Sequence, residues 1–196
     1  MSKHILGILC SGRGSNMQSI LAAIDRGQIK AEVGIVLTDK PQARALEYAK
    51  SVGIKSVCVN RKECQTQQEF EEKLIAELKA AGVTLVILAG FMRILSPYFV
   101  GEYRHRILNI HPSLLPKYGG RGMFGIHVHE AVIANGEKES GITIHLVNEV
   151  FDSGKTLFQT TCPVLPTDKP EDLAARVHAL EYKYFPQVVE QYIYAK

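Results

Sequence analysis

Short apolar runs alternating with stretches of helical period constrain this chain more than any other feature. Ile5–Cys10, Val33–Thr38, Ser56–Val59, Leu85–Ala89 and Arg106–Asn109 read as strands. Leu85–Ala89 is continuously apolar, the pattern of a strand buried on both faces. Between the strands, Ser15 to about Arg26, Ala43–Val52 and about Gln67 to Ala81 carry the helical period. A strand that passes through a helix to the next strand gives a right-handed βαβ unit, so the first half predicts a parallel sheet with helices on both faces. The second half changes character. A glycine-rich loop from Lys117 to Gly125 precedes a helix from about His127 to Asn135. Gly141–Val147 and Lys155–Pro163 then read as paired strands around a loop that holds Asp152. A final helix starts near Pro170, where proline suits the first turn and Glu171 and Asp172 suit the helix dipole. It continues to about Tyr194, with a bend expected at Pro186. The expected fold is α/β: a Rossmann-like, parallel-rich twisted sheet flanked by helices, with a C-terminal antiparallel strand pair and a long last helix.

The 196 residues fit one domain, read as an N-terminal half over about 1–100 and a C-terminal half over about 101–196, with no repeat or linker between them. Twenty-three basic against 20 acidic side chains leave a net charge of +3, too mild to argue for nucleic acid or a membrane surface but suited to small anionic ligands. No apolar run reaches the roughly 20 residues of a membrane span. The start, Met1-Ser2-Lys3-His4, has no cleavage-type site, which argues against a signal peptide. Cys10, Cys58, Cys64 and Cys162 have no metal-binding or disulfide-framework spacing and read as reduced thiols of a cytoplasmic protein.

Two segments carry chemistry. Cys10-Ser11-Gly12-Arg13-Gly14-Ser15-Asn16 lies in the first strand-to-helix turn, where parallel α/β proteins bind phosphate on free N–H groups. It lacks the Gly-Lys-Ser/Thr of a Walker A loop, and Met17 stands where the dinucleotide fingerprint needs a third glycine, so a single phosphate fits best. A glycine turn with a Ser/Asn helix cap accounts for the loop equally well. The second segment is Asn109-Ile110-His111-Pro112-Ser113-Leu114-Leu115-Pro116. A strand ending in Asn-x-His puts both side chains on one face, and the prolines stiffen the chain beyond it. An amide donor beside an imidazole suits a developing oxyanion, although a histidine at a strand end is commonly structural.

That segment, together with Gly90-Phe91-Met92-Arg93-Ile94-Leu95-Ser96-Pro97, resembles the folate-dependent formyltransferases, and most closely the one-domain phosphoribosylglycinamide-directed branch of purine synthesis. Gly141-Ile142-Thr143-Ile144-His145 and Phe151-Asp152-Ser153-Gly154 resemble the second signature of the same family. The resemblance runs from the first glycine loop to the last helix. It implies transfer of a formyl group from 10-formyltetrahydrofolate to the amine of 5'-phosphoribosylglycinamide (GAR), with Asn109, His111 and Asp152 as the catalytic set. It also implies that Gly14, Ser15 and Asn16 hold the GAR phosphate and Glu181 meets its sugar hydroxyls. Met92, Arg93, Ile94 and Leu95 would line the folate pocket with Asn148, Glu149, Val150, Phe151 and Asp152, and Asn109 and His145 would border it. Read alone, Asp152 is a hairpin-turn residue, Glu181 an exposed helix glutamate, His145 a packed strand histidine, and several of residues 91–95 ordinary core.

No metal is expected. His127 and His129, at i and i+2, diverge on a helix, and no further ligand set accompanies them. The chain departs from the family pattern twice. Gly119-Gly120-Arg121-Gly122-Met123-Phe124-Gly125 replaces a shorter Pro-Gly turn, reading equally as a flexible lid and as a tolerated insertion. Gln67 stands where relatives often carry an arginine near the folate's glutamate end. Methionyl-tRNA formyltransferases share the catalytic set but add a C-terminal domain and a cationic surface. Formyltetrahydrofolate deformylases add an N-terminal domain, and sugar-nucleotide formyltransferases tend to be longer. A non-catalytic phosphate or folate module would lack one of Asn109, His111 and Asp152, and all three are present. The expected partners are the two small substrates, with no nucleic acid and no membrane; the sequence does not separate monomer from homodimer.

Overall fold

The structure is a computed structural model and describes residues 4–195, so the signal-peptide reading at Met1–Lys3 lies outside the described residues. Strands β1 (His4–Cys10), β2 (Ala31–Thr38), β3 (Ser56–Cys58), β4 (Leu85–Leu88), β5 (Ile107–His111), β6 (Glu139–Leu146) and β7 (Thr156–Pro163) form one sheet in the order β3-β2-β1-β4-β5-β6-β7. The first five are mutually parallel; β6 runs antiparallel to β5, and β7 antiparallel to β6. The helices are α1 (Ser15–Asp25), α2 (Arg44–Ser51), α3 (Gln67–Ala80), α4 (Pro97–Glu102), α5 (Ile126–Ala134) and α6 (Pro170–Tyr194).

Alternation along the strands builds two cores. In β1, Leu6, Ile8 and Cys10 point to the face covered by α1, α2, α5 and α6, while Leu9 points to the face covered by α3 and α4. Fully buried Met17, Ile20 and Phe185 anchor the first core, and Phe70, Leu74 and Phe99 the second. Each such side chain contributes roughly 1.5–3 kcal/mol. Gly34 lets β2 lie close to its neighbours, since a Cβ there would sit 2.9 Å from the Ala81 carbonyl oxygen.

Two elements depart from the sequence reading. The six-residue α4 is too short to show a period; it is set by Pro97 in its first turn and by Ser96, whose hydroxyl caps it and also binds the buried Glu71 carboxylate. Strand β5 continues to His111, beyond Asn109, because β6 pairs with it over that length, His111 lying opposite Thr143. Helix α6 runs uninterrupted through Pro186, which is buried among its core residues.

The strand order fixes where a ligand can sit. From β1 the chain turns to one side to make β2 and β3, then crosses back to place β4 and β5 on the other. The crevice outside the carboxyl ends of β1 and β4 is therefore the topological switch point. The loops after β1, β4 and β5 open there.

Candidate active site

The loop after β1 enters α1 through Gly14, which holds φ at +75° and has no room for a Cβ, because Ala45 Cβ would lie 2.8 Å away. No side chain caps the helix. The capping alternative for Ser15 and Asn16 is thereby set aside: both lie inside the helix, and the Asn16 amide instead donates to Glu181 Oε2 at 2.8 Å. The first-turn N–H groups are left to face the crevice, an arrangement suited to an anion. Glu181 is buried, which pushes its carboxyl up to about 7 against the opposing pull of the Asn16 hydrogen bond.

The loop after β4 is tied down at four points. Ser11 N–H donates to the Gly90 carbonyl, and Ser11 Oγ accepts from Met92 N–H at 2.9 Å. Arg93 Nε donates to Asp39 Oδ2 at 2.8 Å, the Asp39 side chain being fully buried at the end of β2. Gln67 Nε2 donates to the Ile94 carbonyl at 3.3 Å and to Glu71 at 2.8 Å, so Gln67 braces the loop backbone. Leu95 is buried in the α3/α4 core, whereas Met92 and Ile94 remain half exposed at the crevice.

Asn109 and His111 stand on β5, and Asp152 reaches them from the β6–β7 loop. His111 Nδ1 lies 3.8 Å from Asp152 Oδ2, and His145 Nε2 lies 3.8 Å from Asp152 Oδ1. His111 Nε2 is 2.8 Å from the Tyr118 carbonyl, which can only accept, so the His111 proton sits on Nε2 and Nδ1 faces the carboxylate. His145 Nδ1 is likewise 3.0 Å from the Leu146 carbonyl and therefore donates; its Nε2 accepts from the Asn109 amide at 3.0 Å. Burial holds the His145 imidazole below its usual pKa, in keeping with that neutral form. Asp152 has φ of +52° and its Oδ2 accepts from Gly120 N–H at 2.9 Å. Thr143, opposite His111, binds the Ser113 carbonyl, the Leu115 N–H and Gln159, which fixes the turn that follows β5.

These groups surround one cleft of about 670 Å³, lined at one end by Arg13–Asn16, His178 and Glu181 and at the other by Met92–Ile94, Phe124 and Phe151. Asn109, His111 and Asp152 lie along it. A smaller pocket of about 60 Å³ adjoins it, between Arg93–Leu95, Asn109, His145 and Asn148–Asp152. Of that loop, Glu149 makes a surface pair with Arg104, Val150 and Phe151 are exposed, and the side-chain Oδ1 of Asn148 accepts from Val150 N–H and Ser153 Oγ. His127 pairs with Glu130 on the surface, while His129 is buried and held down at about 4 by its burial. Among the described residues, no cluster of three or more His, Cys, Asp or Glu is placed to hold a metal ion. The sequence reading missed Asp39, Ser11, Tyr118 and Gly120. Tyr118 and Gly120 act through backbone atoms, which leave no mark in a sequence, and Ser11 and Asp39 meet partners that lie far away in the chain.

Residues 5–189 match the formyl transferase family. The chain belongs to that family. It is 39% identical over 182 residues to the phosphoribosylglycinamide formyltransferase of Escherichia coli, covering 93% of this chain and 84% of that protein. It is 42% identical over 186 residues to a trifunctional purine biosynthetic protein of Drosophila melanogaster, of which it spans 13% of the length. The crystal structure of glycinamide ribonucleotide transformylase 1 from Symbiobacterium toebii superposes with a TM-score of 0.93 at 33% identity, covering 98% of this chain and 89% of that one. The formyltransferase fold expected from the sequence is the one observed. Among the described residues, no helix is long and apolar enough to cross a membrane.

Proposed function

We propose that this protein transfers the formyl group of 10-formyltetrahydrofolate to the amine of GAR, giving formyl-GAR and tetrahydrofolate in purine biosynthesis. The observation that carries the reading is the meeting of Asn109, His111 and Asp152 in a cleft that also opens on the uncapped start of α1. The likeness to GAR formyltransferases over nearly the whole chain supports the choice of acceptor.

GAR would place its phosphate on the N–H groups of Gly14, Ser15 and Asn16 and its ribose hydroxyls at Glu181. The pterin would enter between residues 92–95 and 148–152, where backbone groups read its edge and apolar side chains its face. The amine attacks the formyl carbon, and the carbonyl oxygen gains negative charge. Asn109 keeps one amide hydrogen free beyond that given to His145 and donates it to this oxygen. His111, once protonated at Nδ1, donates a charge-assisted bond, and Asp152 stabilises the imidazolium. Through a water, Asp152 relays the proton from the attacking amine towards the departing folate nitrogen. No covalent intermediate is required. The two halves of the chain, about 1–100 and 101–196, act as a single domain because they share one sheet. Four free thiols are in keeping with a reducing cytoplasm.

The test is a formyl-transfer assay with GAR as acceptor, read by the absorbance of the deformylated folate. GAR-dependent turnover is the expected result. Formate release independent of acceptor would assign a deformylase, and saturable binding without turnover would assign a binding module.

A further inference from the structure

The junction Tyr118-Gly119-Gly120, where the glycine-rich insertion leaves the β5 turn, touches both ionisable members of the catalytic set. The Tyr118 carbonyl takes the Nε2 proton of His111 at 2.8 Å, and two residues later Gly120 N–H meets Asp152 Oδ2 at 2.9 Å. Between them, a Cβ on Gly119 would lie 2.6 Å from Leu115 Cδ2 and 3.3 Å from Asp152 Cβ, so the carboxylate packs directly on the glycine.

The backbone here is strained where it makes these contacts. Only three described non-glycine residues have φ in the left-handed region, and two of them are Tyr118 at +55° and Asp152 at +52°. Such a residue persists only where its surroundings over-determine it. Tyr118 is held from outside by its hydroxyl, which donates to Glu137 at 3.0 Å, and Lys117 pairs with the same carboxylate. Ser113 Oγ donates to the Lys117 carbonyl at 2.6 Å. Strain at two partners of one small cluster, braced by surface contacts, marks a segment built to hold groups in place.

We propose that Tyr118–Gly120 is the positioning device of the catalytic pair: the Tyr118 carbonyl fixes the His111 ring and tautomer, the Gly120 N–H fixes the Asp152 carboxylate, and bare Gly119 lets the two approach. The proposal rests on the roles given above to His111 and Asp152. It assigns the start of the insertion, Gly119 and Gly120, a task other than that of a passive surface loop, because Gly120 N–H holds the carboxylate whose Oδ2 lies 3.8 Å from His111 Nδ1. Tyr118 and Gly120 act through other groups and are positioning residues.

Two variants disturb the junction by different routes. Gly119→Ala presses a methyl group on Asp152 and Leu115. Gly120→Ala has open space around its Cβ but a backbone φ of +94° that alanine resists, so the N–H turns away. Both are expected to lower kcat by about ten- to a hundredfold, as small misplacements of reacting groups do, with KM for GAR and for the folate within about twofold. In parallel, the ¹⁵N shifts of the His111 ring are read in the neutral imidazole without substrate. Wild type is expected with the proton on Nε2, and both variants with a mixture of tautomers. Wild-type kcat in both variants, or kcat and KM lost in step, would overturn the proposal. So would a His111 proton found on Nδ1 in wild type, a result independent of whether either variant folds. If wild type failed to formylate GAR, the proposed function would fall, while the tautomer measurement would still decide the positioning claim.

Discussion

The Asn109 amide is latched by His145: Nε2 of the ring accepts from Asn109 Nδ2 at 3.0 Å, and Nδ1 of the same ring donates to the Leu146 carbonyl at 3.0 Å. Asn109 and His145 are register partners across β5 and β6, so the sheet itself brings them together. A backbone carbonyl fixes the tautomer, the tautomer fixes which atom of the amide faces the ring, and the second amide hydrogen is aimed at the cleft. His145→Ala removes the latch and leaves Asn109 free to rotate. The expected effect is a fall in kcat of about tenfold or more, a part of the roughly 3 kcal/mol that a whole oxyanion donor contributes, with GAR binding nearly unchanged. Steady-state kinetics with both substrates varied would check it. An effect confined to KM would show that the latch is irrelevant to the reacting centre.

Asp152→Asn and His111→Ala separate chemistry from binding more sharply. Both side chains are buried beside the cleft, at 3.8 Å from one another. The asparagine keeps the shape of Asp152 but neither its charge nor its capacity to take a proton. Turnover is expected to fall at least a hundredfold in each variant, while the dissociation constant for GAR, measured by calorimetry, changes by less than about threefold. Near-normal turnover in either variant would remove the mechanism.

Arg93 carries a structural duty inside the loop after β4. Its partner Asp39 has a fully buried side chain, and Asp39 Oδ1 has no hydrogen-bond partner. Removing the guanidinium would strand a buried charge, at a cost of about 3–5 kcal/mol. Arg93→Ala is therefore expected to lower the urea midpoint markedly, and Arg93→Ala combined with Asp39→Asn to recover a large part of the loss. Equal midpoints for wild type and Arg93→Ala would show that the pair is not a stability determinant.

The sequence made the frame legible because period and punctuation are local. Leu85–Leu88 had to be a buried strand, and the Gly12–Gly14 turn had to lead into a helix. The shared strand face of Asn109 and His111 in the candidate site was legible, since Asn-x-His on one strand is a matter of period two. What stayed hidden was held by partners far away in the chain. Glu181 reads as a surface helix residue until α6 packs against α1 and buries it against Asn16. Asp39 is an ordinary strand-end acid until Arg93 arrives from 54 residues away. The partners of His111 and Asp152 at residues 118 and 120 are backbone atoms, which every residue but proline would supply equally, so only geometry reveals them.

Burial of Glu181 gives the molecule a predictable dependence on pH. Its carboxyl, ordinarily near 4.5, is pushed up to about 7 in the folded chain, mainly by loss of water. Below pH 4.5 the group is protonated in folded and unfolded chains alike and exacts no penalty. As pH rises from 4.5 towards 7, the unfolded chain gives up the proton more readily, so the folded state steadily loses stability. Glu181→Gln is neutral throughout and escapes this loss. Its Tm is expected to match wild type in acid and to exceed it by several degrees at about pH 8, since 1 kcal/mol shifts Tm by roughly 2–4 °C in a chain of this size. The same substitution removes the ionised partner proposed for the ribose hydroxyls, so KM for GAR should rise while the protein becomes more stable. Differential scanning calorimetry across that range decides the matter: a Tm difference that does not change with pH would mean Glu181 titrates normally, and the buried carboxylate would have to be found elsewhere.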